Sequence, residues 1–205
     1  CLPTCLPTCL PICLPMTQYD LLLPYLEQIR SEVIGVPDVL DIAQRYPSTA
    51  MVLDIGCGTG IPITRALTER FQNVYAVDSS VEMVKRFREN LPDVPVTCTS
   101  IDGFDFFGTT FDVIVAWGII FHLPFDVQER VLPAIVQHMR PGGRCIFTSA
   151  RMRNHHVSDA MNGVEVPYYS LGYGEYSKLF IAHGAIVERM YDDVYGNTHY
   201  VVTRG

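Results

Sequence analysis

No apolar run in this 205-residue chain approaches 18 residues, so no helix is expected to cross a membrane. Basic charge is scarce. Lys and Arg number 15 against 22 Asp and Glu, giving a net charge of −7. No basic stripe gathers in any segment, which argues against a nucleic-acid partner. Charged residues of both signs make up only 18% and apolar residues 48%. That balance excludes a disordered chain, and the length suits one domain with a real core. No glycine cluster ends in G-K-[ST], which excludes a phosphate-binding P-loop.

Cysteine is not scarce, but its placement argues against a disulfide framework. Four of the seven cysteines (Cys1, Cys5, Cys9, Cys13) sit in the tandem repeat CLPTCLPTCLPICLP. The others, Cys57, Cys98 and Cys145, fall in segments that read as strand or turn, where buried free thiols are common. A reducing, cytoplasmic compartment fits this pattern. In the repeat, a proline at every fourth position forbids a helix. The repeat has no basic n-region and no continuous apolar stretch, so it makes a poor signal peptide. Its cysteine spacing lacks the second, distant pair of a zinc signature, and no metal is expected. Residues 1–16 therefore read as a disordered low-complexity tail, with Met16 as the expected natural start. Residues 17–205 read as the folded domain.

Residues 17–46 read as two helical pieces broken by Gly35-Val36-Pro37. From Met51 onward, strand and helix patterns alternate. Strands are expected at 51–55, 74–77, 94–98, 111–116 and 144–149. Helices are expected at 62–70, after Ser79, at 126–139 and at 175–183. Ser79 and Glu82 predict a capping box, and Pro133 predicts a kink. Pro141-Gly142-Gly143 is a strong helix stop. Residues 151–174 lose periodicity and read as a long loop carrying His155-His156 and Tyr168-Tyr169. The last segments, 185–192 and 199–203, pair across Tyr195-Gly196-Asn197 as an antiparallel hairpin. The alternation implies an α/β, doubly wound, Rossmann-like three-layer sandwich whose parallel sheet becomes mixed at the end.

The most informative segment is Leu53-Asp54-Ile55-Gly56-Cys57-Gly58-Thr59-Gly60. A short apolar strand runs into a turn with three glycines at alternate positions, and Pro62 then suits the first turn of a helix. Bare glycines let a backbone approach a ligand closely. A dinucleotide fold would show G-x-G-x-x-G. Here the spacing is one residue shorter, and an acid precedes the first glycine.

The string D-I-G-C-G-T-G resembles motif I of the class I S-adenosylmethionine-dependent methyltransferases. The resemblance extends over roughly residues 17–205. It takes in Asp78 at the end of the second strand, Asp102 after the third, Arg140-Pro141-Gly142-Gly143 before the fifth, and the closing hairpin. It implies a seven-stranded, mostly parallel sheet with an antiparallel last strand, and S-adenosylmethionine as cofactor. Asp54, with the turn amides of Gly56, Cys57, Gly58, Thr59 and Gly60, would face the methionyl end. Asp78 would accept the ribose hydroxyls, and Asp102 the adenine amino group. Met83 and Ile101 would flank the ring, and Tyr19 would fold over the cofactor. Ser79 and Trp117 complete the expected set.

The stretch 116–124 follows the fourth strand, where the resemblance implies that the transferring methyl lies. Candidate acceptor contacts are Trp117, Phe121, His122, Tyr168, Tyr169 and His199. Methyl transfer needs orientation and exclusion of water. A base is needed only when the acceptor must lose a proton, and His122 and His199 are the candidates. The expected acceptor is a small, partly aromatic or apolar molecule. A monomer and a homodimer remain equally open. Two further readings stand beside this one: a non-catalytic S-adenosylmethionine-binding module acting through a protein partner, and a nicotinamide-dependent reductase.

Overall fold

A computed structural model describes residues 18–29, 34–161, 163–194 and 196–205. The expected tail, residues 1–16, and Tyr195 of the expected turn lie outside the described residues. Two helices, α1 (Gln18–Ile29) and α2 (Val36–Ala43), precede β1 (Met51–Ile55). Then follow α3 (Ile63–Arg70), β2 (Asn73–Asp78), α4 (Val81–Asn90), β3 (Val96–Cys98) and β4 (Phe111–Ala116). The chain continues through α5 (Phe125–His138), β5 (Met139–Ser149), β6 (Asn154–Met161), β7 (Val164–Ser170), α6 (Tyr173–Ala182), β8 (Ala185–Asp192) and β9 (Thr198–Arg204). Seven strands form one sheet in the order β3-β2-β1-β4-β5-β9-β8. β1 to β5 pair in parallel; β9 is antiparallel to both β5 and β8. No helix among the described residues is long and apolar enough to cross a membrane.

Strand periodicity sorts the core into two layers. Leu53, Ile55, Ile114, Ala116, Cys145, Phe147, Tyr200 and Val202 face α5 and α6, meeting Val131, Leu132, Ile135, Tyr176 and Phe180. The alternate residues Val52, Val113, Val115, Ile146 and Val201 face α2 and α3, meeting Val39, Ile42 and Leu67. Phe87 of α4 closes over Ala76 of β2. Both faces are dry, which is why β1 and β4 read as continuous apolar runs rather than alternating ones.

Three local expectations are corrected: the cap of α4, the place of the Pro-Gly-Gly turn and the form of residues 151–174. The cap of α4 is Ser80 rather than Ser79: its hydroxyl accepts from Met83 N at 3.1 Å. One residue later places the cap oxygen over the first free amides of the helix. α5 runs through Pro133 as a single helix ending at His138. The Pro-Gly-Gly turn sits inside β5, which starts at Met139 and re-enters register with β4 at Arg144. Residues 151–174 are largely an antiparallel arm rather than a loop, with His155 opposite Tyr169 and His156 opposite Tyr168.

A buried polar network anchors the base of that arm. Tyr176 Oη bonds Gln128 Oε1 at 2.7 Å and Ser149 Oγ at 2.8 Å, and Ser149 Oγ bonds Ser170 Oγ at 3.0 Å. Gln128 Nε2 donates to the carbonyls of Leu123 (2.7 Å) and Tyr169 (3.0 Å). Satisfied networks of this kind fix one arrangement, because each buried group left unpaired is costly. α5, α6, the end of β5 and the arm are thereby held in fixed relation.

Candidate functional site

The order of the sheet reverses between β1 and β4. In doubly wound folds such a point leaves a crevice outside the carboxyl ends of the strands. A cavity of about 380 Å³ lies there, between the turn after β1, the end of β2 and the segment after β4.

At one end, the glycine turn is folded back on β2. Gly56 N and Cys57 N both donate to Val77 O, at 2.8 and 3.2 Å. Gly56 holds φ 69°, and a Cβ there would lie 1.9 Å from Ile119 Cγ2. Gly60 does a different job: a Cβ on it would lie 2.7–2.9 Å from Leu91 and Phe87, so its bareness seats α4. Accordingly Gly56, Cys57 and Gly58 line the cavity, whereas Thr59 and Gly60 do not.

The acids of this end are held firmly. Asp78 Oδ2 accepts from Gly58 N at 2.8 Å and its Oδ1 from Ser80 N at 2.9 Å. Asp54 is buried and accepts from Thr64 Oγ1 at 2.6 Å. Both carboxylates line the cavity, as do Ser79, Met83 and Ile101. Asp102 does not. Its carboxylate is 2.7 Å from Arg130 Nη2, and hydrogen bonding from that guanidinium holds its pKa below the usual carboxylate value. Thr99, Ser100 and Ile101 form that wall instead. The physical reason is a tight turn: Asp102 N donates to Ser100 Oγ at 3.2 Å, and the Asp102 side chain is drawn toward α5.

Sequence reasoning missed the pairing of Asp20 with α4. Asp20 Oδ1 accepts from Ser80 Oγ at 2.5 Å and from Glu82 N at 3.2 Å, and Arg86 pairs with Glu27 at 2.8 Å. These bonds seat α1 so that Tyr19, Leu22 and Leu26 face the cavity. The adjacent Tyr19-Asp20 pair was the only available signal.

The opposite end is built of rings. Trp117, Phe121 and His122 line it. The His122 ring lies 4.4 Å from Phe121, 4.9 Å from Tyr168 and 5.5 Å from Tyr19, between centroids. His122 Nδ1 is 3.2 Å from Pro167 O. A carbonyl only accepts, so Nδ1 carries the hydrogen and Nε2 is the acceptor nitrogen. Burial lowers the pKa of His122 to about 4, so the ring is neutral at physiological pH.

Three expected acceptor residues stand behind this wall rather than on it. Tyr168 stacks on Phe121 at 5.4 Å and 6°, and on His156 at 4.9 Å and 7°. Tyr169 points to the other face of the arm, against Phe125 and His155. His199 is fully buried and stacks on Trp117 at 4.4 Å, with Nε2 3.1 Å from Asp193 Oδ2. Its reach to the cavity is through Trp117. Strand alternation explains all three: adjacent residues of β7 face opposite ways, and the inward positions of β9 point into the core.

Residues 52–143 match the family model described as a methyltransferase domain. The chain is 32% identical, over 112 residues, to a dTDP-4-amino-2,3,4,6-tetradeoxy-D-glucose N,N-dimethyltransferase of Saccharopolyspora spinosa, covering 52% of this chain and 43% of the relative. It is 30% identical, over 139 residues, to a carboxy-S-adenosyl-L-methionine synthase of a Shewanella strain, covering 60% and 56%. The chain thus spans about half the length of these curated relatives. Among solved structures, an amino pentose methyltransferase of Micromonospora echinaspora, determined with S-adenosylmethionine bound, superposes with a TM-score of 0.71. That match has 20% identity and covers 94% of this chain and 98% of the other. The architecture is therefore the Rossmann-like methyltransferase fold. Residues 52–143, with their glycine turn, are thus similar to a methyltransferase domain.

Proposed function

We propose that the chain binds S-adenosylmethionine and transfers its methyl group to a small molecule. The observation that carries this reading is the carboxylate of Asp78, fixed by Gly58 N and Ser80 N at the rim of a cavity whose far end holds His122. An ionised carboxylate only accepts, which suits the donor hydroxyls of a ribose. Gly56 lacks a Cβ where Ile119 packs against the turn, so the turn seats on the segment after β4. Asp54 would lie toward the cationic end of the ligand, and Met83 and Ile101 would flank its ring. Thr99 and Ser100 stand where Asp102 was expected to read the adenine.

Bound S-adenosylmethionine supplies an electrophilic methyl and its own leaving group. The protein's share is orientation and exclusion of water, for which about 7–11 kcal/mol is available from positioning alone. Trp117 and Phe121 shape the acceptor end. Neutral His122 holds its Nε2 ready for an O–H or N–H proton, and burial makes the imidazolium it forms release that proton readily. His199 and Tyr168 brace Trp117 and Phe121 from behind.

The free thiols Cys57, Cys98 and Cys145 suit a reducing cytoplasm.

Titration calorimetry with S-adenosylhomocysteine tests the cofactor half. Asp78→Ala should weaken binding by about 1–3 kcal/mol through lost hydrogen bonds; unchanged affinity removes the ribose role.

A further inference from the structure

Resting on the methyl-transfer reading above, we propose that the acceptor is an uncharged, planar aromatic or heteroaromatic molecule that presents one O–H or N–H to His122. Three features of the cavity carry this. First, among the described residues, charge on its wall is confined to Asp54 and Asp78, both at the glycine-turn end. Around His122 the wall offers Tyr19, Trp117 and Phe121, and Leu22, Leu26 and Ile34 add apolar surface to the cavity. Against the described side chains, an anionic acceptor would lose its hydration without gaining a cation, which is costly.

Second, the wall is flat and braced. Phe121 is held face to face by Tyr168, which is itself stacked on His156. Trp117 is held face to face by His199, and its other neighbour is the backbone of Gly35, where an added Cβ would lie 2.6 Å from the indole. Trp117 is thereby enclosed by His199 and Gly35 and fixes the width of the cavity, while Phe121, braced by Tyr168, is the ring suited to stack on a planar partner. Third, His122 contributes a single acceptor nitrogen, since Nδ1 is committed to Pro167 O. A polyol such as a sugar would bring several hydroxyls against apolar side chains and leave them unpaired.

The step balances with these groups. A bond forms from the acceptor oxygen or nitrogen to the methyl carbon, and the bond from that carbon to sulfur breaks, its electron pair returning to sulfur. The proton of the O–H or N–H passes to His122 Nε2 and then to solvent. No oxidant or reductant is required.

The test uses the full chain saturated with S-adenosylhomocysteine and three probes: 2-naphthol, 6-hydroxy-2-naphthoate and glucosamine. Binding is read by saturation-transfer NMR, and methyl transfer by mass spectrometry after replacement with S-adenosylmethionine. The expected result is binding of 2-naphthol, at least about tenfold weaker binding of the carboxylated analogue, and none of glucosamine. Phe121→Ala should weaken 2-naphthol by about tenfold with the affinity for S-adenosylhomocysteine unchanged. Equal binding of the naphthoate, or binding of glucosamine without 2-naphthol, overturns the inference and leaves the methyl-transfer reading standing. Failure to bind S-adenosylhomocysteine overturns that reading and this inference with it.

Discussion

The two ends of the cavity are built on different principles. At the glycine-turn end, the wall is mostly backbone whose path is set by β1 and β2, and its bonds run between neighbours: Gly56 and Cys57 to Val77, Gly58 to Asp78. At the acceptor end, the wall is side chains brought together from α1 and the segment after β4, braced from behind by the arm of β6 and β7. The first arrangement allows only one residue type at some positions. The second allows any residue that packs, so it varies freely while the fold persists. A donor site of the first kind can be shared across many proteins whose acceptor sites differ.

That contrast sets what each substitution should do. The largest effect is expected at the acceptor end. His122→Ala should lower turnover roughly 10²–10⁴-fold while leaving the affinity for S-adenosylhomocysteine intact, as read by steady-state kinetics beside calorimetry. A near-normal rate would reduce His122 to a packing residue. The same ring makes a pH prediction. Its pKa is about 4 when folded and about 6.5 when unfolded, so its contribution to stability is present above pH 6.5. That contribution is lost as pH falls from 6.5 toward 4, by up to roughly 3 kcal/mol in chemical denaturation. Turnover limited by His122 should show no inflection at pH 6.5.

Gly56→Ala is the corresponding break at the donor end. A Cβ at φ 69°, meeting Ile119, should cost about 2–4 kcal/mol of stability and remove cofactor binding together. Thermal unfolding with and without S-adenosylhomocysteine checks both; a ligand-induced shift of wild-type size would show that the turn tolerates a side chain. The smallest effect is expected at Asp102. Asp102→Asn should leave cofactor affinity unchanged, because the carboxylate serves Arg130 at the surface. A clear loss of affinity would return Asp102 to the adenine site.

The same contrast explains what was legible in the sequence. The parallel sheet, its closing hairpin, the glycine turn and Asp78 were readable, because alternating element patterns and a glycine at positive φ leave local marks. A lone histidine among aromatic residues after β4 stands out in the sequence, and the fold sets His122 on the cavity wall. The arm of β6 and β7 was not readable. Its pairing depends on the network of Gln128, Ser149, Ser170 and Tyr176, whose members lie far apart in the chain. The direction of the Asp102 side chain, toward Arg130 rather than the cavity, is set within a turn and leaves no mark in the sequence. Tyr168, Tyr169 and His199 were named as contacts, yet strand direction places them one layer behind the wall.

The measurement that tests the account most directly is calorimetric titration of the unaltered chain with S-adenosylhomocysteine and, separately, with NADH. The account predicts saturable binding of S-adenosylhomocysteine at one site and none of NADH. Binding of NADH without S-adenosylhomocysteine would contradict it.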